Sequence, residues 1–466
     1  MCIQSLDAPA WAVVLARASD LGDARLNRRL ARIYDAFADH AADSIPKACY
    51  DWAATKATYR FLGNSQVQPA ALIASQARAT VTAAAGLRRI LAVQDTSTLN
   101  FTTHRATRGL GRIGPRKWEG FQGLFTHSLL ALTDEGLPLG LLHQTTYARA
   151  DRPERAEHRR YLPIEEKESV RWRDAVQAAQ ALLARLPPAE RPALIDIADR
   201  EGDIHELLAE PRGDRDDFVI RCNHNRAIQA GGYVHEAAAQ APCLGLAQVR
   251  VPRSEDQPVR VAEVEYRAVL VVLDPRAPGQ QDRREPIAAT LVEVREVNAP
   301  AEVAEPLLWR LWTRHPVETL SQAQEIARLY SLRWRIEDFH LALKAGCGVE
   351  KLQLETADRL ARAVAIYSAV AVRIVALRDL ARREPEAPCT RVLTADQWRV
   401  LYMHLHKEAL RPPDTPPTLR QAVLWIGRLG GHLNRKGDGM PGVKTLWRGL
   451  TTLDEMMNGY YTARRM

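Results

Sequence analysis

Residues 330–344, YSLRWRIEDFHLALK, leave few ways to fold. At about 100° per residue, a helix here gathers Tyr330, Arg333, Glu337 and Lys344 into an arc of roughly 60°. Leu329, Leu332, Ile336, Phe339 and Leu343 fill a neighbouring arc. The spacing therefore predicts one amphipathic helix over about 320–345, its apolar face on a core and its Tyr/Arg/Glu/Lys row outward. One carboxylate among two cations and a phenol suits a metal ligand ringed by phosphate clamps. Taken alone, a charged helix face is more often simply solvated, so the reading depends on the rest of the chain.

The hydrophobic period changes several times along the sequence. Residues 1–70 read as helical: Leu26–Ala41 carries apolar positions at helical spacing beside Arg25, Arg28, Arg29 and Arg32, and Ala53–Phe61 forms a second segment with Lys56 and Arg60. Such a basic helical module suits a DNA reader, and a plain helical subdomain equally well. Ile90–Asp95 then reads as a buried strand, followed by Leu124–Leu132 and Leu137–Thr146 joined at Asp134-Glu135-Gly136. The intervening Arg105–Gly120 is a Gly- and Arg-rich loop. It reads either as a phosphate-approaching loop or as an ordinary exposed one. Glu168–Leu186 reads as a helix, Ala193–Asp199 as a buried strand and Asp203–Glu210 as another helix, which makes the pattern α/β.

Residues 218–316 read as a β-rich insertion with an exposed connection at Asp274–Glu285. Leu360–Leu380 is an apolar helix that must be largely buried, Pro385–Pro388 forms a joint, and residues 396–460 return to helices, among them Gln421–Leu433. From residue 371 onward Lys and Arg outnumber acids sixteen to nine, so most of the net charge of +8 sits at this end. That surplus fits a polyanionic partner. The six cysteines are scattered without a CxxC pair, which points to a reducing compartment and away from structural zinc. Trp11–Ala16 is too short for a signal or anchor and no later stretch reads as membrane-spanning, so a soluble cytoplasmic protein is expected. His404-Leu405-His406 does not put both rings on one helix face and is not read as a metal site; Lys47 and Lys56 read as surface residues.

Two-metal phosphoryl transfer needs carboxylates from separate elements converging on hard cations such as magnesium. Asp95 ends the first strand, Asp199 ends the strand after the helix, and Glu337 stands on the outward face of the later helix. Three carboxylates thus come within reach of one sheet edge, although a strand-terminal Asp also commonly caps a turn.

At residues 199–204, DREGDI, the chain resembles the bacterial cut-and-paste DDE transposases of insertion sequences that carry the Y-(2)-R-(3)-E-(6)-K signature. Tyr330, Arg333, Glu337 and Lys344 match that spacing without a gap. The likeness extends through LGD at 21–23, YRF at 59–61, DTS at 95–97, GLLHQ at 140–144, EKES at 166–169, FVIR at 218–221, RWRIEDFH at 333–340 and RLGG at 428–431.

The resemblance implies an RNase H-like catalytic core at 71–217 and 317–380 with the β-rich insertion at 218–316. It implies a helical DNA-binding domain at 1–70 before this core and a helical dimerisation domain at 381–466 after it. It makes Asp95, Asp199 and Glu337 the catalytic triad holding two magnesium ions, with manganese able to substitute, and leaves Asp196, Glu201 and Asp203 to local structure. Tyr330, Arg333 and Lys344 would hold the DNA backbone, while Arg221, Trp309 and Trp334 match positions that steady a nucleotide flipped from the transposon end. Stacking on an indole, worth about 1–3 kcal/mol per base, gives that role a physical basis; without the resemblance Trp309 reads as a core residue.

Arg25, Arg29 and Arg60 would read the terminal repeats. Leu26 and Asp39-His40-Ala41-Ala42-Asp43 replace the family's basic positions, so a different end sequence is expected. The partners implied are double-stranded transposon ends, target DNA and a second copy of the chain, with no membrane. Two rivals remain: a DNA-binding regulator without catalysis, and an RNase H-fold nuclease without strand transfer.

Overall fold

The computed structural model describes residues 15, 18–39, 44–49, 51–114, 120–150, 162–251, 260–274, 285–303, 305–407, 411–435 and 438–465. The apolar run at 90–93 opens the central strand, β1 (Arg89–Asn100). Asp95 was expected to end it, yet β1 runs on to Asn100 because residues 96–100 remain paired with the next long strand, from Thr96↔His127 to Asn100↔Gly123. That partner, β3 (Gln122–Thr133), turns into β4 (Pro138–Tyr147) at the expected Asp134-Glu135-Gly136. Gly136 takes φ 88° and donates its N–H to Thr133 O at 2.8 Å, a left-handed turn position that a side chain would strain. A two-residue strand, β2 (Gly111–Arg112), pairs beside β3 within the Arg105–Gly120 loop, whose residues 115–119 lie outside the described set.

Beyond the meander the chain crosses by helix α5 (Val170–Leu183) to β5 (Ala193–Ala198), and then by α6 (His205–Leu208) to β6 (Asp217–Arg221). Both strands are parallel: β5 pairs with β1 and β6 with β5. The expected insertion edge at 218 therefore falls inside a core strand. After it comes a short helix, α7 (Val234–Gln240), and then β7 (Cys243–Val251), β8 (Arg260–Leu273), β9 (Ile287–Glu296) and β10 (Leu308–Thr313) continue the same sheet in antiparallel fashion. Among the described residues the order is β2-β3-β1-β5-β6-β10-β9-β8-β7, with β4 also on β3. The connection at Asp274–Glu285 lies outside the described residues from 275 to 284.

The stretch expected as one helix over 320–345 is three pieces. α8 (Leu320–Ser331) stops, two tight turns follow at Leu332 and Arg333, and α9 (Trp334–Leu341) widens into a π-turn over Ala342–Gly346. In the break, Leu332 N–H donates to Leu329 O at 3.1 Å and Arg333 N–H to Tyr330 O at 2.9 Å. These i→i−3 bonds overwind the chain and shift the phase of everything after them. Next comes α10 (Ala357–Arg383), capped by the Thr356 hydroxyl and buried over most of its length. By length and composition it is apolar enough to cross a membrane, contrary to the sequence reading, but its apolar window is 89% buried inside this fold.

Helices enclose α10. In the N-terminal part, α1 (Ala24–Asp39), α2 (Ile45–Cys49), α3 (Trp52–Leu62) and α4 (Pro69–Ala84) are tied to it by polar bonds as well as by packing. Arg362 donates to the carbonyls of Leu62 and Val67, and Gln76 donates to Tyr34 Oη and Ala365 O. Residues 40–43, where the family's basic positions are replaced, lie outside the described set, as does most of Trp11–Ala16. At the other end, α11 (Ala395–Leu405) and α12 (Leu419–Leu429) each start with a T-x-x-Q capping box. The last helix is α13 (Val443–Arg465).

α12 and α13 cross at a pair of glycines. A Cβ on Gly449 would stand 1.8 Å from Ile426 O, and one on Gly430 1.9 Å from Thr445 O. Gly449 sits inside α13, where helix propensity alone makes alanine about 1 kcal/mol better, so contact and propensity predict opposite signs. Gly449→Ala should lower stability by at least about 2 kcal/mol in urea unfolding, because backbone cannot yield as a side chain does. A raised midpoint would mean that the two helices do not approach this closely.

Candidate active site

Strand register brings the first two acids together. β1 and β5 pair in parallel through Ala92↔Asp196 and Val93↔Ile197. Asp95 stands two residues further along β1, and Asp199 the same distance past Ile197, just beyond the end of β5. The Asp95 side chain is 13% exposed, and its Oδ1 accepts the Thr96 N–H at 2.7 Å. Asp199, expected to end the strand, lies one residue past β5 and caps the following turn, accepting Glu201 N–H at 2.8 Å. Burial, then Asp199, then Glu337 push the Asp95 carboxyl up to about 7, against the lowering influence of the Thr96 N–H and Arg333.

α9 supplies the third acid. Glu337 keeps 46% of its side chain exposed, and the Arg333 guanidinium lies between it and Asp95, 3.4 Å from Glu337 Oε1 and 3.5 Å from Asp95 Oδ2. Lys344, carried inward by the π-turn, donates to Ser97 Oγ at 3.2 Å. Ser97 is two residues past Asp95 and so shares its face of β1. The outward row read from the sequence needs correction. Arg333 is buried and Tyr330 is 3% exposed, its ring edge-on to Trp309 with centroids 5.2 Å apart. The helix break at Leu332 and Arg333 accounts for this, because the four residues do not share one helical phase.

His340 is the residue that the sequence reading passed over. One oxygen from Asp95, one from Glu337 and a ring nitrogen of His340 all lie within 4.8 Å of one another. The imidazole is buried and its Nε2 has no hydrogen-bond partner. Burial, with Lys344 and Arg333 nearby, lowers its pKa to about 3, so the ring is neutral. Two carboxylates plus an orphaned buried nitrogen are a donor set that a divalent ion fits. The available sequence signal was the spacing: Glu337 and His340 at i, i+3 share a helix face.

Behind the acids runs a buried polar chain. Thr96 Oγ1 bonds His127 Nδ1 at 2.9 Å, His127 Nε2 bonds Gln94 Oε1 at 3.1 Å, Gln94 donates to Asp196 at 2.7 Å, and Arg212 stands 3.5 Å from Asp196. Asp203 accepts the N–H groups of Asn223 and His224 and pairs with Arg226. Both acids thus serve local structure. Glu201, beside Asp199, is raised by burial and by that neighbouring charge.

The aromatic group stands at the adjoining strand ends. Arg221 closes β6 opposite Leu311 and donates to Leu308 O at 3.3 Å, one residue from Trp309 on β10. Arg221, Trp309 and Tyr330 are therefore gathered, and Trp309 is half-buried. Trp334 is 59% exposed with the Arg333 guanidinium 4.7 Å from its ring centroid. The N-terminal arginines stand elsewhere: Arg25 and half-buried Arg29 on α1, exposed Arg60 on α3, with Arg25 paired to Asp23 at 3.0 Å. Among the described residues no hydrogen bond or ion pair joins them to the acidic cluster. Lys47 pairs with Glu455, and His406 stacks on Tyr402.

Three families match successive parts of the chain: "Transposase DNA-binding" over residues 8–67, "Transposase DDE domain" over 173–372 and "Transposase Tn5 dimerisation domain" over 369–466. Among solved structures, the chain is similar at TM-score 0.29 and 11% identity to a piggyBac transposase synaptic complex with hairpin DNA, seen by cryo-electron microscopy. The alignment covers 73% of this chain and 62% of that one, and a likeness of this size carries no weight here.

The crowding of charge at Asp95 makes stability depend on pH. Without metal, the folded chain holds the Asp95 proton up to about pH 7 and the unfolded chain only up to about pH 4. Ionisation therefore costs nothing below about pH 4, destabilises the fold increasingly as pH rises, and is complete above about pH 7. Asp95→Asn should raise the metal-free melting temperature by several degrees at pH 8, with the gain shrinking towards pH 5. A gain that is equal at both pH values would show that Asp95 ionises freely in the fold.

Proposed function

The chain belongs to the DDE transposases of the insertion-sequence type, and on that premise we propose that it binds the inverted ends of a DNA element, pairs them as a dimer, cleaves them and joins them to target DNA. The observation that carries this reading is the meeting of Asp95, Asp199 and Glu337 from three elements, with Arg333 and Lys344 beside them. The family implies divalent-metal dependence, and the ions proposed are two magnesium ions, with manganese as a substitute. Held by these acids, they would supply Lewis-acid stabilisation and an activated oxygen nucleophile.

The chain's own residues have separate tasks in this scheme. Asp95 takes a shared position between Asp199 and Glu337. Lys344 and Arg333 neutralise the phosphate that lies over the carboxylates. A water oxygen attacks the scissile phosphorus and frees a 3′-hydroxyl, which then attacks the opposite strand and later the target. The hairpin that the second step implies is proposed from family membership. Arg221, Trp309 and Trp334 are proposed to steady a displaced base at the end, with Trp334 the most open platform and Tyr330 bracing Trp309 from beneath.

Arg25, Arg29 and Arg60 are proposed as end-reading contacts, and α11 to α13 as the dimerisation unit. The division proposed is 1–70 for end binding, 71–217 and 317–380 for catalysis with β6 added, the remainder of 218–316 as the insertion, and 381–466 for pairing. A cytoplasmic location goes with this reading.

The test incubates the full chain with magnesium and a DNA fragment carrying its own gene between native flanks. Paired breaks at short inverted repeats, followed by joined products, are expected; specific binding without breaks under magnesium and manganese would overturn the reading. Glu337→Gln should lower cleavage and joining by about 10³-fold or more while end binding stays within about twofold. A matching loss of binding would make Glu337 a DNA contact instead. Lys344→Ala should weaken end binding and reduce the slope of log affinity against log salt by about 1. An unchanged slope would remove it from the phosphate path.

A further inference from the structure

The three acids do not stand symmetrically. Asp199 lies just past the end of β5, two residues beyond the Val93↔Ile197 pair as Asp95 is on β1, whereas Glu337 approaches Asp95 from the helix side together with His340. Asp95 is common to both pairs. We propose that His340 is a metal ligand, offering its unpartnered Nε2 to the ion held between Asp95 and Glu337, so that one of the two ion positions is a mixed nitrogen and oxygen site and the other is bound by oxygen alone. This rests on reading the acidic cluster as the metal site.

Distance permits it. Donors sharing an ion at about 2.1 Å stand about 3.0 Å apart when adjacent and about 4.2 Å apart when opposite. A cluster already within 4.8 Å is near that spacing, and an ion closing it would take the place of the Arg333 guanidinium that bridges the two carboxylates in the metal-free chain. Position favours it as well. Glu337 and His340 lie one turn apart on α9, and Lys344 in the π-turn that follows is engaged with Ser97. A buried imidazole nitrogen left without a partner is destabilising, and coordination would remove that cost. With its proton on Nδ1, the imidazole presents a lone pair at Nε2. His127, the other buried histidine near Asp95, is not a competitor: both its nitrogens are engaged, with Thr96 and Gln94.

A nitrogen ligand has a chemical consequence. Imidazole favours later transition metals over magnesium, so the mixed position should hold manganese more tightly relative to magnesium than a carboxylate-only position does.

The experiment is electron spin-echo spectroscopy of manganese(II) added to the full chain, which reads directly bound nitrogen through its hyperfine modulation. Wild type should show nitrogen modulation that vanishes in His340→Gln and persists in Asp199→Asn. Manganese affinity of His340→Gln should fall about tenfold, with magnesium affinity falling less. Bound manganese without nitrogen modulation in wild type overturns the inference whether or not any variant folds, and leaves the carboxylate site standing. So does modulation that survives in a folded His340→Gln. Manganese binding that is equally strong in wild type and Glu337→Gln would instead remove the metal-site reading itself.

Discussion

The parallel register of β1 against β5 is the constraint on which the site depends. Side chains alternate faces along a strand, so a slip of one residue would turn Asp95 away from Asp199 and bury its neighbours wrongly. β1 is held in that register on both sides. β3 pairs with it along nearly its whole length and β5 along its first half. The Thr96–His127–Gln94–Asp196 chain then ties β1, β3 and β5 through side chains immediately behind the acids. This rigidity lets like charges be packed together. The repulsion that raises Asp95 is the same property that makes the cluster receptive to cations, so a local electrostatic cost and the capacity for chemistry have one origin.

The third acid depends on helices instead of strands. α9 is short and bounded by irregular turns, so its direction is fixed from outside. Asp338, next to Glu337, accepts from Arg378 at 2.6 Å; Arg378 also donates to Asp379 at 2.8 Å, and Arg335 reaches Asp379 at 3.2 Å. Buried ion networks of this kind contribute more to orientation than to net stability. They fasten α9 to α10, which the N-terminal helices grip through Arg362 and Gln76. Trp447 of α13 also lies in van der Waals reach of a Cβ built on Gly346 at the end of the π-turn. α9 is thus braced by both flanking helical parts of the chain.

Much of this was legible in the sequence. The meander at 90–146, the crossover to Ala193–Ala198 and the buried helix at 357–383 follow from hydrophobic period and turn chemistry, and the acids at 95, 199 and 337 follow from their places on those elements. The misreadings have identifiable causes. β1 outlasts its apolar run because its later residues are stabilised by pairing with β3, which no local pattern reports. The Tyr330–Lys344 row looked continuous because a wheel at constant pitch has no means of representing two tight turns and a π-turn. Tyr330 consequently turns inward to Trp309. α10 passes the length and polarity test for a membrane span, and only its burial shows where its apolar surface goes.

The sequence by itself determined which elements form and which carry acids, because period, capping residues and turn glycines act over a few neighbouring residues. It also pointed to the class of chemistry, through the ordered likeness to a transposase family, since acids at strand ends taken singly serve as turn caps just as well. Only the tertiary structure decided how those acids pair: Asp199 with Asp95 through sheet register, Glu337 and His340 with Asp95 through the docking of α9. It alone placed Arg333 between two carboxylates and left His340 Nε2 without a hydrogen-bond partner. Those outcomes depend on contacts between residues more than a hundred positions apart, where local propensity is silent and packing, register and burial decide.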